Sequence, residues 1–332
     1  MNNASISESD TVLVLAGGVG GAKLALGLAH VLTPNQLVIA VNTADDDEFH
    51  GLHVSPDIDT MMYTLSGLSN KSLGWGITGD SQKALSMLAR YGSEAWFNLG
   101  DKDLGTHIKR TQLLNSGWNL SEITTSLSRS LGVYHPITPM TDDKVRTFLH
   151  TNHGILKFQE YFVQHHHKPK IHKIDYVGAS NAKPSALFAT ALKKAHSIII
   201  CPSNPFLSIG PILAINGVRE LIRKFQGPKV AVSPLASGQA FMGPTTKIMD
   251  ELGIASTSMA IAELYKDICN IFVIDESDAD HASSIRSIGI SPYIRKITMA
   301  TKRDKITLAR SICSIINNHI YAYIKLYIRY LF

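Results

Sequence analysis

TVLVLAGGVGGAKLALGLAHVLTPNQLVIAV, residues 11–41, decides the fold class of this chain. The apolar run at 11–16 predicts a buried strand, and residues 22–32 predict a helix that ends before Pro34. LVIAV at 37–41 predicts a second buried strand. A strand, a glycine turn, a helix and a strand in this order open a parallel, doubly wound sheet. We therefore predict an α/β fold with a mainly parallel, Rossmann-like sheet.

The rest of the chain predicts one α/β domain over residues 1–332 that contains a helical insertion at 57–135. Within the insertion, segments 81–91 and 121–131 have helical apolar spacing, and the second begins with a serine cap. Strands and helices alternate again after it, which favours one sheet for both halves. The predicted strands are 145–150, 171–177, 197–201, 229–232, 270–274 and 293–299. The predicted helices are 184–195, 211–225, 245–252, 259–266 and 279–288, followed by a C-terminal helical tail at 305–332.

The composition predicts a cytoplasmic globular protein. The 332 residues are 45% hydrophobic, 18% charged and carry a net charge of +5, without the block of like charges typical of a nucleic-acid tract. Cys201, Cys269 and Cys313 are too few and too scattered for a disulfide framework or a cysteine zinc site. The polar N-terminus lacks the pattern of a signal peptide. The apolar stretch 320–332 is too short to span a membrane and predicts a last helix on the core or on a second subunit.

The glycine-rich loop between the first strand and the first helix predicts a phosphate site. Gly17, Gly18, Gly20 and Gly21 allow the backbone to approach a ligand closely, and the helix N-terminus then directs N–H groups at an anion. Lys23 in the first turn could add a positive charge. The loop matches neither a P-loop nor a strict dinucleotide fingerprint. A tight structural turn is the alternative interpretation.

An acidic cluster follows the second strand. NTADDDEFHGLHVSPDIDT at 42–60 contains six acids, and its position at the carboxyl end of a parallel strand is typical of ligand sites. Carboxylates that converge repel one another, and oxygen ligands beside phosphates suit Mg²⁺. The alternative is a solvated loop in which Asp57 or Asp59 caps a helix. His50 and His53 could equally be structural hydrogen-bonding residues.

Two later segments are candidate binding sites with less specific sequence patterns. Ser203, Asn204 and Pro205 follow a predicted buried strand and precede a helix, a position that suits nucleotide contacts, although a plain connector would look the same. The triplet His165–His167 suggests a metal site, but adjacent residues cannot all face one ion from a regular element. We expect a solvated loop there.

Several motifs together resemble the 2-phospho-L-lactate transferase family of coenzyme F420 biosynthesis. They are VLAGGVGGAKLALGL, NTADDDEFHGLHVSPDIDTMMYTLSGL, GWGITGDSQKAL, WFNLGDKDLGTHIKRTQLL, PMTDDKVRT, FQEYFV, ICPSNPFLSIGPIL and AVSPL, spread in the family's order over residues 11 to about 310. The resemblance implies a Mg²⁺-dependent transferase. A guanylyl-diphosphate-activated three-carbon acid would give its phosphoryl-acid part to the ribityl hydroxyl of the deazaflavin Fo, and GMP would leave. A homodimer is also implied.

The resemblance assigns roles to the candidate residues. Asp45 and Asp46 would be catalytic, and the pool of metal ligands is Asp45, Asp46, Asp57 and Asp59, without a distinction between base and ligand. Trp75 and Trp96 could wall the flat ring of the acceptor, although buried aromatic side chains more often fill the core. Substrates would be bound by Gly17, Gly18, Gly20, Gly21, Lys23, His53, Asp80, Ser203, Asn204 and Pro205.

Two rival functions remain open at this point. A related group of the same fold is a non-catalytic regulator that binds UDP-sugars, and the GWGITGD and WFNLGDKDLGTH motifs favour the transferase over it. A nicotinamide-dependent oxidoreductase would need GxGxxG and one ribose-binding acid, where this chain has a carboxylate cluster. The sequence leaves the donor open among phospholactyl, phosphoenolpyruvyl and 3-phosphoglyceryl groups.

Overall fold

A seven-stranded parallel sheet forms the centre of the protein. The computed structural model describes residue 7, residues 10–241 and residues 243–331, with side chains described up to residue 319. The strands are β1 (Val12–Ala16), β2 (Leu37–Val41), β3 (Asp47–Phe49), β4 (Leu52–Val54), β5 (Ile137–Pro139), β6 (Arg146–Thr151), β7 (Gly154–Lys157), β8 (Ile171–Val177), β9 (Ser197–Ile200), β10 (Lys229–Val232), β11 (Leu235–Ala236), β12 (Gln239–Ala240), β13 (Ile271–Ile274) and β14 (Ser291–Ile294). The central order is β14-β13-β10-β9-β1-β2-β5, and every pairing in it is parallel.

Helices cover both faces of this sheet. They are α1 (Gly18–Ala29), α2 (Pro56–Ser66), α3 (Lys83–Arg90), α4 (Asp101–Asn115), α5 (Leu120–Ser130), α6 (Ala186–Lys194), α7 (Gly210–Ala214), α8 (Val218–Lys224), α9 (Thr245–Glu251), α10 (Ser258–Tyr265), α11 (Ala282–Ser287) and α12 (Lys302–Leu331). Val12 and Val14 of β1 pack with α1, α2 and α12, whereas Leu13 and Leu15 pack with α6, α8 and α10. The doubly wound α/β fold is therefore confirmed.

The helix α1 begins four residues earlier than the sequence predicts. It starts at Gly18, inside the glycine loop, so the glycines themselves form its first turn. Glycine is a poor helix former, and the apolar pattern that predicts the helix starts only at residue 22. The glycine loop and the helix N-terminus are thus one element.

The region between β2 and β5 contains the helices α2 to α5, and also the hairpin β3–β4 that the sequence pattern does not predict. α2 buries Ile58, Met61 and Met62 in the same core cluster as β1. The helix α5 is capped by Asn119, not by a serine: its side chain accepts from the N–H of Glu122, whose carboxylate accepts in return. The division into a domain and an insertion at 57–135 stays a prediction.

The prediction that both halves of the chain share one sheet is wrong for two strands. β6 and β8 belong, with β7, to a separate antiparallel sheet in the order β7-β6-β8. Burial alternates along β6, as in a sheet with one solvated face, whereas all four residues of β9 are buried. The one-sided burial of β6 fits its place outside the central sheet.

Three elements in the second half differ from the predicted ones. The predicted helix at 211–225 is broken into α7 and α8, with Gly217 in the left-handed region between them, and the π-helical turn Pro205–Ile209 precedes α7. The predicted helix at 279–288 is the 3₁₀ segment Glu276–His281 followed by α11. The predicted strand at 293–299 ends with β14 at residue 294.

The C-terminal helix α12 packs against α1. A Cβ at Gly27 would collide with the backbone carbonyl of Lys305, so the two helices approach each other at a glycine. Leu308, Ile312 and Ile316 of α12 are buried in the core. The predicted packing of the apolar stretch 320–332 lies outside the described side chains, and most of the N-terminal stretch lies outside the described residues.

In the described part of the chain, no helix by itself has the length and apolar character to cross a membrane; the sharply bent pair Pro205–Ala214 and Val218–Lys224 passes that test only when its two parts are joined.

Candidate active site

A cavity of about 560 Å³ opens at the carboxyl ends of the central strands. The chain winds from β1 toward β2 and β5 in one direction and from β9 toward β14 in the other, so β1 and β9 flank the point where the strand order reverses. Open α/β sheets bind ligands in the crevice at this point. The cavity is lined there by the glycine loop, by Asp45 and Asp57, and by Ser203.

Close contacts explain the glycine loop. A Cβ at Gly17 would lie 2.5 Å from Asp57 Oδ2, and a Cβ at Gly21 would lie 2.7 Å from Ser203 Oγ. A Cβ at Gly20 would collide with the carbonyl oxygen of Pro202. Gly18 has φ of 60°, which glycine adopts most easily. The loop is therefore held against both α2 and the segment after β9, and only glycine fits at its closest approaches.

Asn42 holds two of the predicted carboxylates together. This asparagine follows β2 and is fully buried. Its amide nitrogen donates to Asp45 Oδ1 at 3.2 Å and to Asp57 Oδ2 at 3.0 Å. The other oxygen of Asp57 accepts from the backbone N–H of Gly18 at 2.7 Å. Asp57 thus connects the acidic cluster directly to the glycine loop.

The buried carboxylates hold their protons unusually strongly. Burial raises the pKa of Asp45 well above its ordinary value, and the negative charges of Asp57 and Asp46 raise it further. Burial also raises the pKa of Asp57 to about 6, although its hydrogen bonds from Asn42 and Gly18 act in the opposite direction. Perturbed carboxyl groups in a cavity are typical of functional sites and of sites that receive a cation.

Asp46 is held by residues of β4 and its C-terminal end. Its Oδ2 accepts from Ser55 Oγ at 2.8 Å and lies 3.1 Å from His53 Nε2. Its Oδ1 is buried and has no hydrogen-bond partner among the described residues. A buried carboxylate oxygen without a partner is costly, which fits a site that receives a cation.

Asp59 faces an arginine. Both of its oxygens accept from the guanidinium of Arg110, with Nη1 at 3.1 Å from Oδ2. Within the described part of the chain, the one group of three metal-ligating side chains with atoms all within 4.8 Å is Asp59, Asp103 and His107. The adjacent guanidinium disfavours a second cation there by repulsion. Metal ligation by Asp59 stays a prediction that competes with this ion pair.

The loop after β9 contacts the glycine loop through one side chain. Ser203 Oγ donates to the carbonyl of Gly17 at 2.7 Å and lies 3.3 Å from its N–H. Asn204 instead caps the turn that follows, because its Oδ1 accepts from the N–H groups of Phe206 and Leu207. Pro205 is buried at the start of that turn. Ser203 and Asn204 both line the cavity.

The predicted acceptor-side residues take different positions. Asp80 accepts from the N–H groups of Lys102 and Asp103 and so caps α4. Trp75 lines the cavity and is 43% exposed. Trp96 packs edge-on against Phe49, with ring centroids 5.3 Å apart.

Asp47 and three of the predicted histidines do not line the cavity. Asp47 is in β3 and pairs with Lys157 at 3.2 Å. His50 is in the left-handed region at the tip of the β3–β4 hairpin. His166 and His167 also have positive φ, in a loop that follows the π-helical turn Glu160–Gln164. Lys23 lines the cavity beside the glycine loop.

The structure adds residues that the sequence pattern does not single out. Asn42 stands first in the acidic segment, and its position directly after a buried strand is a signal that could identify it. Arg110 lies within an ordinary helix and carries no local signal. Gln159 donates to the backbone carbonyl of Asp45 at 2.8 Å, and only the fold brings the two together.

Known proteins similar to this chain point to one family. Residues 12–310 match the model of the family described as 2-phospho-L-lactate transferase CofD. The chain is 36% identical over 294 residues to the 2-phospho-L-lactate transferase of Methanosarcina mazei, covering 89% of this chain and 96% of that protein. It is 37% identical over 285 residues to the phosphoenolpyruvate transferase of Streptomyces coelicolor, covering 84% of this chain and 89% of that protein.

A solved structure is similar in fold alone. The crystal structure of protein BH3568 from Bacillus halodurans superimposes with a TM-score of 0.56 at 17% sequence identity, covering 87% of this chain and 93% of that one. A second crystal structure of the same protein, described as a member of the upf0052 family, gives a TM-score of 0.55. The family model and the curated relatives, each covering more than four-fifths of the chain, are decisive: this chain belongs to the 2-phospho-L-lactate transferase CofD family.

Proposed function

We propose that this protein transfers a phosphorylated three-carbon acid from a guanylyl-diphosphate donor to the ribityl hydroxyl of the deazaflavin Fo, with release of GMP. One observation carries the proposal. The glycine loop, which suits a diphosphate, lines the same cavity as the buried carboxylates of Asp45 and Asp57. The hydrogen bond from the N–H of Gly18 to Asp57 joins the two. The relatives named as 2-phospho-L-lactate and phosphoenolpyruvate transferases support the same reaction class.

Asp45, Asp46 and Asp57 are the residues that would hold Mg²⁺. The unpartnered buried oxygen of Asp46 and the repulsion that raises the pKa of Asp45 both fit a nearby cation. A compact three-carboxylate cage is not required, because Mg²⁺ usually takes one or two carboxylates and completes its shell with water and substrate phosphates. When bound, the ion would neutralise charge on the phosphate oxygens.

The protein's own groups would bind the donor and orient the acceptor. The N–H groups of the first turn of α1 that follow Gly18, together with Lys23, would bind the diphosphate. A carboxylate of the Asp45–Asp57 pair would accept the proton of the attacking hydroxyl. The new bond forms between this oxygen and the phosphorus bearing the three-carbon acid. The bond from that phosphorus to GMP breaks, and its electron pair leaves with GMP.

An aromatic wall suits the flat ring of the acceptor. Trp75, Phe97, Phe158 and Phe162 line the same cavity as the carboxylates. Phe97 stacks on Phe49 at 3.8 Å between ring centroids, which fixes its plane. We assign the binding of the deazaflavin ring to these side chains and not to Trp96. Trp96 packs edge-on against Phe97, with ring centroids 6.0 Å apart.

The reaction is tested by mixing the purified protein with Fo, Mg²⁺ and guanylyl-activated donors made separately from phospholactate, phosphoenolpyruvate and 3-phosphoglycerate. Mass spectrometry then follows GMP and new deazaflavin products, with EDTA as the control. A product that needs the metal is the expected result, and the preferred donor names the three-carbon acid. Folded protein that binds UDP-sugars but forms no product with any donor would instead indicate the regulator.

Replacement of Gly20 by alanine should weaken donor binding. The new methyl group would press on the carbonyl of Pro202, and the loop must move away from its closest contact. Overpacking of this kind costs about 1–3 kcal/mol, so we expect a KM for the donor roughly 5- to 150-fold higher. Gly105→Ala is the control, since the added Cβ would meet no atom within 4 Å beyond the neighbouring backbone of its own helix. Equal KM values for both variants would contradict a role for the loop.

A further inference from the structure

Arg110 is buried behind the carboxylate cluster, and we propose that it is a positioning residue that sets the geometry of the cation site. The inference rests on the proposed function, because it concerns the cation assigned there. The side chain of Arg110 is fully buried, and it is not among the described residues that line the cavity. It can therefore position the residues that would hold a cation only through the side chains and backbone groups that it touches.

The first link runs to Asp57. Arg110 pairs with both oxygens of Asp59, which lies in the first turn of α2, two positions after Asp57. A two-point pair between a planar guanidinium and a carboxylate fixes orientation as well as distance. It therefore fixes the rotation of this turn, and with it the direction in which Asp57 meets Gly18.

The second link runs to Asp46. Nη1 of Arg110 lies 3.4 Å from the backbone carbonyl of His53, and the N–H of His53 donates to Thr111 Oγ1 at 2.8 Å. Two neighbouring residues of α4 thus hold one residue of β4. The imidazole of His53 lies against Asp46 Oδ2, so a shift of this backbone would move the group beside Asp46.

The third link fixes Arg110 itself. Its Nη1 lies 3.3 Å from His107 Nδ1, which can accept a hydrogen bond when the ring proton is on Nε2. His107 Nε2 in turn lies 3.3 Å from Asp103 Oδ2, and the hydroxyl of Tyr63 lies 2.6 Å from Asp103 Oδ1. The guanidinium is therefore held from α2 and α4 together. A lysine ammonium could not reproduce this planar set of contacts.

The test measures cation binding directly, without substrates. Mn²⁺ serves as a probe for the site, and electron paramagnetic resonance counts free Mn²⁺ in the presence of wild-type protein, Arg110→Lys or Arg110→Met. We expect the Kd for Mn²⁺ to rise at least 10-fold in Arg110→Met and by less in Arg110→Lys. Arg219→Met is the matched control, since Arg219 pairs with Asp267 at the surface and should leave the Kd unchanged.

A second variant keeps the proposal testable if Arg110→Met fails to fold. Asp59→Leu combined with Arg110→Met replaces the buried pair by apolar groups, which proteins often tolerate. We expect this double variant to fold, by circular dichroism, and still to bind Mn²⁺ at least 10-fold more weakly. Wild-type affinity in either folded variant would overturn the proposal. It would also be overturned if every Arg110 variant failed to fold or if the wild type did not bind Mn²⁺.

The result can be separated from the proposed reaction. Wild-type protein that binds Mn²⁺ but forms no deazaflavin product would contradict the transferase and leave the role of Arg110 intact. Wild-type protein that forms product, together with an Arg110→Met variant of unchanged Kd, would contradict only the role of Arg110.

Discussion

Asp57→Asn is expected to lower turnover on the order of 1,000-fold. The two oxygens of Asp57 accept hydrogen bonds from the N–H of Gly18 and from the side-chain amide of Asn42. An asparagine at this position has one oxygen and one NH₂ group. Its NH₂ group would therefore face one of these two donors. The variant also removes one negative charge from the proposed cation site. Product formation at saturating donor and Mg²⁺ measures the loss. Asp175→Asn, at an exposed carboxylate paired with Lys173, is the control and should retain full turnover.

The same variant should change how stability depends on pH. The pKa of Asp57 rises from 3.8 to about 6 on folding, so the folded protein binds more protons between these values, and its stability falls as the pH rises through this window. The amide of the Asp57→Asn variant has no such ionisation. We therefore compare the free energies of unfolding of the variant and of the wild type, both without metal. The value of the variant minus that of the wild type should be about 2 kcal/mol larger at pH 7 than at pH 4. Denaturant unfolding at both pH values measures the difference, and a constant difference would contradict the assignment.

Asn42→Leu is expected to lower kcat at neutral pH roughly 100-fold or more, by analogy with the loss of other preorganised donors. Leucine has a similar volume but leaves Asp45 and Asp57 without their shared donor. Because a hydrogen bond to a carboxylate lowers its pKa, its loss should raise the pKa of Asp57 above about 6. The carboxylates would then be protonated over more of the pH range.

The pH profile distinguishes this explanation from simple destabilisation. In Asn42→Leu, the acid limb of the activity profile should move to higher pH, so that raising the pH recovers part of the lost activity. Asn270→Leu is the matched control: Asn270 accepts from the N–H of Lys229 in the central sheet and should affect stability without moving the limb. An acid limb that moves to lower pH in Asn42→Leu would contradict the role of Asn42.

The sequence predicts those parts of the fold whose signal is local. β1, β2 and β9 are continuous apolar runs, and such runs are typical of strands buried on both faces. The sequence pattern wrongly assigns β6 and β8 to the central sheet, because it indicates a strand but not the partner of that strand. Pairing depends on residues far apart in the chain, which no local pattern contains.

The residues of the candidate site also include some with a local sequence signal and some without one. The glycine loop and the aspartates carry a local signal, since their residue types are unusual at the end of a buried strand. Arg110 carries none, because arginines on helices are normally solvated, and its burial becomes visible only when α4 packs on α2. The family resemblance implies a chemistry, but the contacts of Asp59 and Asp80 could be read only from the fold.

The pairing of β1 with β9 has a consequence for synthesis on the ribosome. Gly17 and Ser203, which meet at the cavity, are 186 positions apart. At roughly 5–20 residues per second, the ribosome needs roughly 10 to 40 seconds between them. Throughout that interval the nascent chain displays an unpaired apolar edge at β1, of the kind that recruits other strands. Protection by a chaperone would matter most before residue 200 emerges.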